Sequence, residues 1–184
     1  MSTRFLPFLT VFLLLVLAAG CDDDDMPEVP NEEELITTMR YTLTPVAGGA
    51  AVTFTFTDLD GDGGNAPVIS APALAANTAY TGEIMLLNET ETPAENVTEE
   101  IRDEKEEHQF FYVAASGLNV AIATLDLDAD NNPVGLESTL VTGAASSGNL
   151  TITLRHEPMK PNNGTLAGAG GETDIEVTFN VQVQ

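Results

Sequence analysis

The stretch Asp174-Ile-Glu-Val-Thr-Phe-Asn-Val-Gln-Val183 decides the fold. Ile175, Val177, Phe179, Val181 and Val183 share one parity, and Glu176, Thr178, Asn180 and Gln182 share the other. A period of two puts successive side chains on opposite faces of an extended chain, so this segment predicts a strand with one face in a core and one in water. A helix of the same residues would scatter the apolar positions around its circumference.

The same alternation recurs upstream. Met39, Tyr41 and Leu43 follow it, as do Val52, Phe54 and Phe56 against Thr53, Thr55 and Thr57, and then Tyr80, Ile84 and Leu86. Further strands are expected over 108–115, 118–125, 134–142 and 150–156. Between them stand Gly48-Gly49, Ser116-Gly117, Asn131-Asn132-Pro133, the run 143–148 and Asn162-Asn163-Gly164, which carry turn chemistry. About eight short strands of this kind predict an all-β domain over 35–184, an antiparallel two-sheet β-sandwich of immunoglobulin-like type. One segment departs from it. Thr92-Pro93-Ala94-Glu95 is a capping-box sequence and Asn96 with Glu99 a second start, predicting a short acidic helix within 93–107, with Val97 and Ile101 as its apolar stripe.

The amino terminus has a different organisation. Arg4 precedes an apolar run from Phe5 to Ala19, too short for the ~20 residues of a spanning helix, and Ala18-Ala19-Gly20 leads to Cys21. This order predicts a signal peptide over 1–20 and lipidation at Cys21. It resembles the bacterial lipobox, although Leu17 lies one place earlier than the usual leucine. Residues 21–34, CDDDDMPEVPNEEE, are acidic with two prolines and no apolar period, and predict a disordered tether. An acidic tract after the cysteine resembles that of surface-exported lipoproteins, whereas Asp22 directly after it resembles an inner-membrane retention signal; of the two compartments the outer membrane is the one expected.

Charge narrows the function classes. Six basic residues face 29 acidic ones, a formal charge of −23, and loss of Arg4 makes the mature chain more negative still. The remaining Lys and Arg are scattered, so the counterion displacement that drives nucleic-acid binding has no footprint. Cys21 is the single cysteine. Its commitment to a lipid leaves no thiol for disulfides, metal binding or covalent catalysis, and no serine lies in a Gly-x-Ser-x-Gly setting. A non-enzymatic module is therefore expected.

Three groups of residues carry cation chemistry. Asp58, Asp60 and Asp62 in DLDGDGG have the spacing of a calcium loop, but Ile69 occupies the position where the bidentate Glu belongs. Asp126, Asp128 and Asp130 reach Glu137 at that position, with Asn131 replacing the usual Gly and Pro133 inside the loop. Both also suit acidic β-turns. The third group contains the only two histidines. His108 opens a strand in register with Phe110 and Tyr112, and His156 closes one in register with Leu154 and Ile152. If those strands run antiparallel, both imidazoles lie at one end of the sandwich, where with Glu107 and Glu157 they would suit a transition metal. The loop from Asp126 to Asp130 and the strand start at Glu172 and Asp174 belong to the same end by that parity.

The segments NEEELITTMRYTLTP, FTDLDGDGGNAPVI, LLNETETPAENVTEEI, EEHQFFY, LRHEPMK and GGETDIEVTFNV resemble an uncharacterised family of small Gram-negative lipoproteins. Members sometimes carry the label type 1 periplasmic binding fold superfamily, which implies a solute receptor. The residues themselves predict a lipid-anchored binding or display module that interacts with the membrane through its lipid and with a cation, calcium or a transition metal, or an extracellular ligand. A purely structural or adhesive lipoprotein and a solute-receptor component are the alternatives.

Overall fold

The computed structural model describes residues 34–61 and 63–184. The signal peptide, Cys21, Asp62 and all of the tether but its last residue lie outside the described residues. Nine strands and two short helices follow in order: β1 Thr38–Pro45, β2 Val52–Thr57, β3 Val68–Ser70, β4 Ala79–Leu87, α1 Val97–Asp103, β5 His108–Ala114, β6 Val120–Thr124, β7 Glu137–Thr142, β8 Ser146–His156, α2 Leu166–Ala169 and β9 Glu172–Val183. They form two antiparallel sheets, one ordered β3-β2-β1-β4-β7-β6 and the other β5-β8-β9. The all-β sandwich expected from the alternation is the fold.

Its core joins the inward rows of both sheets. Tyr41, Phe54, Ile84, Leu86 and Leu140 from the larger sheet pack with Phe110, Ile152, Leu154, Val177 and Phe179 from the smaller one. All five apolar positions of the 174–183 stretch are buried. Removing such a side chain to Ala typically costs about 2–5 kcal/mol.

Element boundaries differ from the sequence expectation where side chains or local pairs capture the backbone. The strand expected over 134–142 starts at Glu137, because Asp126 accepts the N–H groups of Gly135, Leu136 and Glu137. The turn expected over 143–148 ends early, since Ser146 to Gly148 already pair with β9. The acidic helix takes the second start. Glu95 and Asn88 exchange backbone hydrogen bonds of 3.0 and 3.1 Å, so no helical turn includes Glu95 and α1 begins at Val97. Its buried Val97 and Ile101 are the apolar pair expected, and Thr98 Oγ1 anchors it by accepting from the Leu86 N–H and donating to the Leu86 carbonyl.

The connection 157–171 covers the outer side of the smaller sheet, where Phe111, Thr153 and Ala169 are buried and Asn162 donates to Gln109. Gly171 has φ +71°, and a Cβ there would collide with the carbonyl oxygen of His156. Only glycine meets both demands without strain.

Candidate metal centre

His108 and His156 face each other directly across the β5–β8 ladder. Their ring centroids are 4.7 Å apart, and both residues are buried, His108 completely. This is the juxtaposition that antiparallel strands of matching parity impose.

Two carboxylates complete the group: Asp174, which the sequence places at this end without counting it among the four ligands, and Glu34, which it assigns to the tether. Glu34 Oε1 lies 3.3 Å from His108 Nε2 and Glu34 Oε2 lies 3.7 Å from His156 Nδ1. Asp174 Oδ1 lies 3.5 Å from His156 Nδ1 and Oδ2 lies 3.9 Å from His108 Nε2. Imidazole and carboxylate thus alternate around a closed ring. One ligand atom from each of the four residues lies within 4.8 Å of the others.

Asp174 owes its place to an irregularity in the ladder. Leu154 pairs with Ile175 and Arg155 with Thr173, so Asp174 is an extra residue on β9. Strict alternation assigns it to the outer face with Glu176. A bulge re-aims a side chain, and here the Asp174 side chain is fully buried against the histidines. Glu34 was expected in the tether. Its side chain is only 5% exposed, which moves the start of the folded domain back from residue 35 to include it. The physical reason is that the segment leading into β1 passes this end of the sandwich and sets Glu34, four residues before the strand, against the two imidazoles.

The spacing discriminates between two chemistries. A charge-assisted N–H to carboxylate hydrogen bond is about 2.7–2.9 Å long, shorter than any of these approaches. Ligands arranged tetrahedrally at about 2.0–2.1 Å from one ion stand about 3.3–3.4 Å apart, close to the shorter pairs here. Consistent with this, His108 Nε2 and Glu34 Oε2 are buried without a hydrogen-bond partner. On its other side, His108 Nδ1 lies 3.1 Å from the Glu104 carbonyl oxygen at the end of α1. A carbonyl only accepts, so Nδ1 carries a proton, and Nε2 faces the carboxylates, as a lone pair whenever the ring is neutral.

Burial alone would depress the His108 pKa, but the Glu34 carboxylate, the Glu104 carbonyl and Asp174 outweigh it and raise the value. For Glu34, burial pushes upward, and the adjacent His108, with a smaller contribution from His156, brings the pKa below the ordinary carboxylate range. Each partner favours the charged form of the other, as a cation would for the acids.

The remaining sequence candidates lie elsewhere. Glu107 and Glu157 are exposed and group with His156 at the rim, apart from His108. The four-residue set expected from the sequence is therefore split. Asp126 spends both oxygens on three backbone N–H groups. Asp128 accepts from the N–H groups of Asp130 and Asn132 and lies 3.3 Å from the buried Lys160 Nζ, so an ammonium already stands where a calcium ion was expected. Asp130 and Glu137 are exposed. Asp58 and Asp60 cap their own turn, through Gly61 N and through Asn65. Among the described residues, neither acidic loop forms a metal-ligating group.

Lys160 also donates 2.6 Å hydrogen bonds to the carbonyls of Lys105 and His108. It thereby holds the start of β5, and with it the first imidazole. Comparison with protein-family profiles, with curated proteins and with solved structures finds no match to this chain, so its functional reading rests on this site.

Proposed function

We propose that this chain is a lipid-anchored protein of the cell envelope whose sandwich binds one divalent transition-metal ion through Glu34, His108, His156 and Asp174. The observation that supports the metal is the closed ring of two imidazoles and two carboxylates at 3.3–3.9 Å, buried at the end of the smaller sheet. Two nitrogen and two oxygen ligands without thiolate suit zinc, and also copper or nickel; calcium and magnesium prefer oxygen alone. The anchor is supported by the order of Arg4, the apolar run and Ala18-Ala19-Gly20-Cys21. The role is binding rather than catalysis, because all four side chains serve as ligands and none is left to act as a base at the ion.

Zinc titration of the full chain by calorimetry, with elemental analysis of the protein purified from membranes, tests the reading. One ion per chain is expected, with binding lost in both His108→Ala and His156→Ala. Absence of stoichiometric zinc, copper or nickel binding, or an affinity in either variant equal to that of the unmodified chain, would overturn the metal. Cys21→Ser should abolish detergent-phase partitioning, and unchanged partitioning would overturn the anchor.

A further inference from the structure

Glu34 and Asp174 both line a cleft of about 520 Å³ that also includes Ile36, Phe56, Asp58 and Asp60, whereas neither histidine lines it. A divalent ion with six waters of about 30 Å³ each occupies roughly 180 Å³, so the cleft admits a hydrated cation. Of the residues that line it, Glu34 keeps its Oε2 buried, without a hydrogen-bond partner and 3.7 Å from His156 Nδ1. The acidic turn stands beside it, tied to the segment after Glu34 by the hydrogen bond from Asp58 N to the Thr37 carbonyl, 2.8 Å.

We propose that this cleft is the route by which the metal reaches its site, with Asp58 and Asp60 as the outer residues that capture the hydrated ion. This inference rests on the metal reading above. Carboxylates at the mouth, with Ile36 and Phe56 as walls of low polarity, focus an attractive field for cations. The ion then meets Glu34 and Asp174 and sheds water to their oxygens, and reaches the imidazole nitrogens last. The turn expected to hold calcium in its own right becomes the mouth of a site built by other strands. Gly61 N bonds to Asp58 Oδ1 and Asn65 N and Nδ2 bond to Asp60 Oδ2, holding both side chains at that mouth.

Stopped-flow mixing of the metal-free full chain with Co²⁺, followed by the ligand-field absorption of the bound ion, measures this route. The variant Asp58→Asn with Asp60→Asn keeps an acceptor oxygen at each turn position and removes both charges. Its association rate at low ionic strength should fall about tenfold, within the range of electrostatic steering, and lose most of its salt dependence, while the final spectrum stays that of the unmodified chain. Glu99→Gln with Asp103→Asn, an equal change of net charge on α1 outside the cleft, should alter the rate less than twofold. Equal rates for the cleft variant and the unmodified chain, or equal slowing by the α1 variant, would overturn the route while leaving the metal site standing. Absence of any Co²⁺ spectrum in the unmodified chain would overturn both.

Discussion

Glu34 Oε1 stands 3.3 Å from His108 Nε2, so the last residue of the acidic leader reaches a fully buried imidazole of the sandwich. That contact ties the segment entering the domain to the sheet that carries both histidines. It also separates Glu34 from the acids that precede it, which by composition have no apolar surface to bury.

Deleting residues 22–33 should leave zinc affinity and the thermal midpoint of the full chain nearly unchanged. Glu34→Gln should weaken zinc binding by more than about 100-fold, since loss of even an outer-shell partner typically costs about 10–100-fold. Calorimetric titration of the two variants in parallel distinguishes them, and equal affinity would refute a ligand role for Glu34.

Removing an imidazole should destabilise the metal-free protein as well as abolish zinc binding. His108→Ala leaves Glu34 and Asp174 buried with half of their cationic partnership gone, and breaking a buried ion pair costs about 3–5 kcal/mol. Urea denaturation of metal-free protein should show that loss. Zinc at 100 times its dissociation constant should then add about 2.7 kcal/mol to the unmodified chain and nothing to the variant.

Stability and metal affinity should have opposite pH slopes. The His108 pKa is raised in the fold, so its contribution to metal-free stability is fully present below the unfolded value of about 6.5 and is lost as pH rises through the folded value. Zinc requires the neutral ring, so affinity should fall by at least about tenfold between pH 8 and pH 6 as protons compete. Zinc titrations at both pH values, beside urea midpoints of the metal-free chain, measure the two slopes.

Lys160 and Asp128 form the support beneath β5. Lys160→Met removes the donor to the carbonyls of Lys105 and His108 and leaves Asp128 without its ammonium, and should cost about 3 kcal/mol at pH 7. Burial pushes the Asp128 pKa up, but the Asn132 N–H and side-chain amide, with Lys160, outweigh it and lower the value. The stabilisation is therefore complete above the unfolded value of about 3.9 and lost as pH falls through the folded one. Asp128→Asn should accordingly matter at pH 7 and little near pH 2, as chemical denaturation at the two values would show.

The fold class and the pairing of the histidines are legible in the sequence, because both depend on a period of two. Alternation over 174–183 assigns the buried face of β9, and the parity of His108 with Phe110 and of His156 with Leu154 places both imidazoles inward. Such patterns are local, and an antiparallel ladder carries them into space without further information. The other half of the site depends on tertiary structure. Asp174 turns inward only because the β8–β9 ladder gains an extra residue there, which reverses what its parity states. Glu34 is one more acid in an acidic run until the start of β1 brings it against the imidazoles, and Asp126 and Asp128 have calcium spacing until backbone N–H groups and Lys160 take their oxygens. Side-chain period is written residue by residue along the chain, whereas the partner of a carboxylate is chosen by whichever donor or cation the packed sheets bring within reach.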